Sequence, residues 1–306
     1  MTQKYKRYIW GMNITKAAVI CTALFIRTFT THAQADRSLY IIYDTERKAE
    51  ITFAELTASI GHADIVFFGE EHNDSIAHVL QFELLKAMDE RYAGVALSME
   101  MLVSDDQLVL DEYLSGLITE RNFNKDAVLW NNYTDYRPMV EYARENGLPV
   151  LAANAPSRYT NRVTRSGLES LNALDKSAKH LLAPLPIDTL TGRYHEKFTA
   201  LMGGHESMGG LKIYQSQNLW DATMAYRISR FSKGKNIQKV LHLNGRFHSD
   251  ERLGTVAQLR NYVSRRTSVV TISCFPDNGY NEPDWESFSH LGDFIILTDP
   301  VIPKTF

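Results

Sequence analysis

A chain of 306 residues, 44% hydrophobic and 23% charged, can bury a sizeable core, which excludes disorder as its default state. Its 36 acidic residues outnumber 33 basic ones for a formal net charge of −3, which argues against nucleic acid as a partner held through backbone charge. The first 35 residues carry five of the positive charges and no acid, so without them the net charge becomes −8.

Within that leading segment an apolar run from Ala17 to Ile26 precedes Ala33-Gln34-Ala35, a small-x-small cleavage site. The pattern predicts a signal peptide over residues 1–35, export through the Sec pathway, and a periplasmic or outer-membrane-associated location. A membrane-spanning helix needs about 20 apolar residues, roughly twice this run. Ile20 stands before Cys21 where a lipoprotein signal has a small residue, so lipidation is not expected. After cleavage only Cys274 remains, so no disulfide can form within the chain and the core alone must hold the fold.

Beyond the signal, Leu39 to Tyr43 reads as a short strand, and Thr52 with Glu55 forms a capping-box pattern opening a helix that Gly61 closes. Ile65 to Phe68 is a fully apolar strand, and Ser75 to Tyr92 shows helical spacing. Val95 to Glu100 predicts a strand ending in a carboxylate, followed by a helix over about 104–114. Residues 117–137 are irregular, gathering Trp130, Tyr133, Tyr136 and Arg137 as core packing or as an aromatic wall, and Pro138 is read as opening a helix. Leu148 to Ala153 is the next strand, running into Asn154 and Arg158. A helix is expected from Leu168 to Leu182 and another from Gln215 to Phe231, with strands at 239–243, 268–274 and 293–297 and a helix over 254–264. Residues 184–214, rich in Tyr, His, Met and Gly, break the alternation.

Strands alternating with helices predict an α/β fold, a mainly parallel sheet flanked by helices, in one domain over 36–306 with a helical or irregular insertion or cap at about 184–214. Such sheets bind ligands beyond the carboxyl ends of their strands. Glu70 and His72, Glu100, Asn154 and Arg158, and His248 each follow a different strand, so the topology gathers them at that edge. Three readings of Glu70, His72, Glu100 and His248 stay open. They are ligands for a divalent metal such as Zn or Mn, a histidine base with an orienting carboxylate, or a buried hydrogen-bond cluster. No Gly-x-Ser-x-Gly elbow follows a strand, and neither Gly203-Gly204 nor Gly209-Gly210 sits where a phosphate loop requires.

Gly69-Glu70-Glu71-His72, Met99-Glu100-Met101, Asp105 with Gln107, Trp130, Tyr136-Arg137-Pro138, Asn154-Ala155-Pro156, Asp221 to Ala225 and Gly245-Arg246-Phe247-His248 occur in this order. Together they resemble the ChaN-like family of haem-binding uptake proteins, a branch of the Tiki and erythromycin-esterase-like superfamily, over roughly residues 55 to 275. The resemblance implies an exported haem-binding protein of iron uptake, with haem as cofactor, an outer-membrane haem receptor as a partner and a homodimer as one arrangement. Its enzyme relatives imply the alternative, a metal-dependent hydrolase using Glu70, His72, Glu100 and His248. His78 matches a histidine frequent on the helix after the first motif.

Iron needs a basic axial donor, the porphyrin apolar surface, and the propionates cationic partners. In the insertion, Tyr194, His195, Met202, His205, Met208 and Tyr214 offer donors and soft apolar surface, with Tyr136 and Arg158 as further candidates for haem contact. Arg193, Lys197 and Lys212 can meet propionates. Asp221, on the late helix, is placed to bond across to a site histidine.

Overall fold

Largely apolar runs of five to nine residues form every strand of the sheet but one, a three-residue edge strand, and the amphipathic runs between them cover it. The computed structural model describes residues 39–203 and 208–306, the side chains of Met208 and Gly209 excepted. The expected signal peptide and His205 lie outside the described residues. In chain order come β1 (Tyr40–Asp44), β2 (Ala49–Ile51), α1 (Phe53–Ser59), β3 (Ile65–Glu70), α2 (Ser75–Arg91), β4 (Val95–Val103), α3 (Gln107–Leu114), α4 (Glu120–Asp126), α5 (Tyr133–Asn146) and β5 (Val150–Asn154). There follow α6 (Ser157–Ser166), α7 (Lys176–Lys179), α8 (Arg193–Leu201), α9 (Met208–Phe231), β6 (Lys239–Gly245), α10 (Gly254–Leu259), β7 (Val269–Pro276), α11 (Trp285–Phe288) and β8 (Phe294–Thr298).

Among the described residues these strands make one sheet in the order β2-β1-β8-β7-β3-β6-β4-β5. Strand β1 runs antiparallel to β2 and β8, and the remaining pairings are parallel. This is the α/β fold expected. Side chains alternate between two faces, as the two-residue period of a strand requires. Val66, Phe68, Leu97, Met99, Leu241 and Leu243 pack under α2 and α5, while Ile65, Phe67 and Val240 pack with Met224 and Ile228 of α9 and Leu259 of α10. Burying the parallel strands on both faces explains why they read as continuous apolar runs.

The chain runs from β3 outward to β4 and β5, then returns to insert β6 between β3 and β4 before crossing to β7. The register pairs Gly69 with Asn244 and Glu70 with Gly245, so the two Gly-x-x-His motifs leave adjacent strands at the same height. Ligand-bearing turns of α/β sheets concentrate at such a reversal of strand order.

Local chemistry explains several boundaries. Thr52 and Glu55 make the expected reciprocal capping box, and Asp74 caps α2 by accepting from the Ile76 and Ala77 amides. The expected helix over 168–182 is instead a 3-10 turn at Leu168–Ala173 followed by the short α7, because Gly167 at φ +79 and the extended Leu174 interrupt the chain. Pro138 does not open its helix but lies inside α5, which begins at Tyr133 to bury Tyr133, Tyr136 and Met139. Pro138 is the sixth residue of α5, so the helix gives up the backbone bond that residue 138 would otherwise donate to Thr134 O. The irregular 184–214 segment supplies α8 and the first turns of α9, packed through Tyr194, Phe198 and Tyr214 against Phe247. No helix among the described residues is long and apolar enough to cross a membrane.

Strand β5 is the sheet's edge, and side chains occupy its free backbone. The Gln107 amide donates to Val150 O and accepts from Ala152 N, both at 2.9 Å, and Arg227 Nε donates to Ala152 O at 2.9 Å. A glutamine here mimics the peptide unit of a missing neighbour strand.

Candidate functional site

Glu70 ends β3, and at 1% exposure its carboxylate must be satisfied from within. Oε1 accepts from His72 Nδ1 at 2.9 Å and from the Tyr136 hydroxyl at 2.5 Å, while Oε2 accepts from Gln81 Nε2 at 2.6 Å. His78 Nε2 lies 3.3 Å from Oε2. Burial pushes the carboxyl pKa up, but the bonds and charges of His72 and His78 outweigh it and hold Glu70 below the ordinary carboxylate value. Tyr136 carries the opposite shift, its phenol pushed far up by burial and by the Glu70 charge.

His72 is half-buried against Trp130, with ring centroids 4.9 Å apart. Burial opposes its protonation, yet the Glu70 hydrogen bond and the charges of Glu100 and Glu70 raise its pKa above the usual value. Nδ1 is taken by Glu70, and Nε2 has no hydrogen-bond partner among the described residues.

A second unit stands beside the first. His248 Nδ1 lies 2.7 Å from Asp221 Oδ1 and Nε2 lies 3.4 Å from Glu100 Oε1. Asp221 also accepts from the Tyr194 hydroxyl at 2.5 Å and from Thr255 Oγ1 at 2.9 Å, and Glu100 Oε2 accepts from the Gly245 amide at 2.7 Å. Burial works against charge on His248, but the two carboxylates overcome it and push its pKa up to about 10. Glu100, likewise opposed by burial, is held down to about 2, chiefly by His248. The result is an imidazolium between two carboxylates. Each unit is thus a tyrosine, a carboxylate and a histidine, Tyr136–Glu70–His72 and Tyr194–Asp221–His248.

The units interlock through their glycines. A Cβ on Gly245 would lie 2.6 Å from His72 Nε2, and one on Gly69 would lie 2.6 Å from Ser249 Oγ and 2.9 Å from Arg246 Cα. Each motif's glycine therefore admits the other motif.

The four polar-centre residues expected from the sequence come together, but as two ion pairs rather than one convergent ligand set. Among the described residues no group of three or more His, Cys, Asp or Glu side chains is arranged to hold a metal ion. Asp221 bonds to His248. Gln81 and Gln217 were not anticipated, although helical spacing was their signal: Gln81 lies one turn after His78, and Gln217 one turn before Asp221. Gln217 Nε2 stands 3.3 Å from His248 Nδ1.

Of the haem candidates, Tyr194, His195 and Tyr214 pack together, while Tyr136 sits at Glu70 and Arg158 at Asp105. The hydroxyls of Tyr136, Tyr194 and Tyr214 are buried and engaged, the last with Leu190 O at 2.6 Å. His195 packs edge-on to Tyr214, Met202 is 45% exposed on the surface, and Met208 opens α9. Arg158 pairs with Asp105 and lies over the Tyr159 ring, Arg193 pairs with Glu251 at 2.7 Å, and Lys212 donates to Arg165 O at 3.0 Å.

One cavity, of about 520 Å³, opens onto the polar centre at the carboxyl ends of β3 and β6. His72, Gly245, His248 and Gln217 line it, with Lys197, Arg246, Leu201 and Phe247 around them. Lys197 Nζ sits 5.0 Å over the Phe247 ring, 4.0 Å from Asp250 and 3.9 Å from Glu251, with no hydrogen bond to either; burial lowers its pKa. Arg246 pairs with Asp250 at 2.7 Å and lies 4.0 Å over the Phe275 ring.

Residues 56–259 match the family described as haem-binding uptake, Tiki superfamily, ChaN. The chain belongs to this family. Among solved structures, the ChaN of Campylobacter jejuni, described with cofacial haem binding, superposes with a TM-score of 0.65 at 18% identity, covering 86% of this chain and 98% of that one. An erythromycin esterase mutant in its open conformation matches at TM-score 0.45 and 14% identity over 81% and 79% of the two chains. The type III effector HopBA1 matches at 0.45 and 13% over 81% and 93%. No curated protein sequence gives a significant match. Within the ChaN-like fold, the Gly-x-x-His motifs occupy adjacent strand ends at the reversal of strand order.

Proposed function

We propose that this ChaN-like chain binds haem for uptake, with the ligand held at the cavity on the carboxyl edge of the sheet. The observation that carries the reading is the state of His72: Nδ1 is fixed by Glu70 and Nε2 has no hydrogen-bond partner among the described residues, beside the cations Lys197 and Arg246. A histidine that binds a metal centre typically gives its other ring N–H to a carboxylate, which fixes its tautomer and orientation. Haem iron accepts such a basic axial donor, so His72 fits the ligand role, with Lys197 and Arg246 toward the propionates and Leu201 and Phe247 as apolar surface. A volume of about 520 Å³ falls within the range of cofactor sites.

The leading segment, residues 1–35, supports export, which puts haem handling outside the cytoplasm. A haem receptor of the outer membrane is then the partner, and a second copy of the chain covers the ligand's open side. The metallohydrolase reading has less support, because both nitrogens of His248 face carboxylates and Glu70 is engaged on both oxygens.

Titration of haemin into residues 36–306, followed by absorption spectroscopy, tests the proposal. Saturable binding with a shifted Soret band is expected, and its absence would overturn the reading.

A further inference from the structure

Strand β5 begins beside a second cavity, of about 720 Å³, at the end opposite the polar centre. It is lined by the last turns of α9, the close of α5 and part of α3, including Leu114, Leu148, Pro149 and Phe231. Two arginines one helical turn apart, Arg227 and Arg230, reach it from α9, and His180 joins them.

Arg227 is half-buried, and neither arginine has a carboxylate within 4.0 Å among the described residues. Its Nε and Nη2 are spent on neutral oxygens, Ala152 O and Gln107 Oε1, while Nη1 makes no hydrogen bond among the described residues. Arg230, exposed, makes no side-chain hydrogen bond or ion pair there. Burial lowers the Arg227 pKa, with Asp111 and Asp105 acting on it only at longer range. A partly desolvated guanidinium without a counter-ion is costly, and guanidinium forks match carboxylates bidentately.

We propose that this cavity binds a small organic carboxylate, its anionic group on Arg227 and Arg230 and its apolar body against Leu148, Pro149 and Phe231. Asp111 lines the same cavity, so the two arginines and this acid leave one positive charge, which suits a monoanion over a doubly charged phosphate. The apolar walls give a hydrocarbon body a place that a bare inorganic anion cannot use. The site shares no lining residue with the cavity at the carboxyl edge, so it can be tested separately from haem binding.

Calorimetric titration of the full chain with 1-naphthoate, with 1-naphthamide and inorganic phosphate in parallel, tests this. Saturable naphthoate binding is expected, with naphthamide and phosphate each weaker by about tenfold or more, the worth of one charge-assisted contact or one apolar body. Arg227→Gln abolishes binding but also frees the Ala152 carbonyl. The exposed Arg230→Glu keeps the fold and is therefore the deciding variant. It should weaken naphthoate by about tenfold while leaving haemin titration unchanged. No saturable naphthoate binding, equal binding of naphthamide, tighter binding of phosphate, or an unaltered affinity in Arg230→Glu would each overturn the proposal.

Discussion

Gly245 leaves the space that His72 fills. A Cβ at 245 would lie 2.6 Å from Nε2 and 2.9 Å from Cε1 of the imidazole, whereas the Gly245 backbone, at φ −59 and ψ 131, is open to any residue. The requirement for glycine is therefore steric contact with His72, not backbone conformation. Gly245→Ala should displace the ring from Glu70, cost about 1–3 kcal/mol as overpacking, and impair haem binding more than stability. Urea denaturation and haemin titration on one preparation separate the two effects.

His72 is expected to be the residue on which haem binding depends. His72→Ala should abolish the Soret shift while the fold survives, because Glu70 keeps its bonds to Tyr136 and Gln81. Glu70→Gln, which removes the carboxylate orienting the ring, should weaken haem by about 10–100-fold. The raised pKa of His72 adds a pH signature. Its lone pair is free only once the ring loses its proton, so affinity should increase with pH through a midpoint above the ordinary value of 6.5. Affinity that is flat between pH 6 and 9 would count against histidine ligation.

The His248–Glu100 pair should shape the dependence of stability on pH. His248, raised from 6.5 to about 10, contributes stability that is full below 6.5 and is lost as pH rises through about 10. Glu100, lowered from 4.5 to about 2, contributes stability that is present above 4.5 and lost as pH falls toward 2. Because the two shifts describe one interaction, they count once. Urea midpoints should fall between pH 7 and 10 in the native chain. In His248→Gln the decline should be shallower, from a starting stability about 3–5 kcal/mol lower, since two buried carboxylates lose their cation.

Gln107→Ala should expose the backbone of edge strand β5. Two bonds to β5 go, at a cost of about 1–3 kcal/mol, and the freed Val150 carbonyl and Ala152 amide become available to another strand. Thermal denaturation measures the first effect. Size-exclusion chromatography at increasing concentration checks the second, as self-association absent from the native chain.

Much of the fold was legible from residues alone. The apolar runs at Ile65 to Phe68, Val95 to Met99 and Val240 to Leu243 are too short for helices and too continuous for exposed strands, which identifies them as buried parallel strands. Segments with weak apolar periodicity stayed hidden. Helix α6 buries only Thr160 and Val163, and β2 is three residues long with an exposed, polar centre. The start of α5 was obscured by reading Pro138 as a helix opener, when the burial of Tyr133 and Tyr136 carries the helix through it.

By itself the sequence determined which polar residues stand at strand ends, because a buried strand must stop where polar groups can be paired, and so Glu70, His72, Glu100 and His248 could be named together. Only the tertiary structure decided who pairs with whom. The β3–β6 register puts His72 on Gly245, and α9 swings Asp221 onto His248. The helix α5 brings Tyr136 onto Glu70 from 66 residues away. Partner choice rests on distances of a few ångströms between distant segments, and those distances set the protonation of each histidine. The same composition of acids and imidazoles thereby becomes one locked ion pair at His248 and, at His72, one histidine whose Nε2 has no hydrogen-bond partner among the described residues.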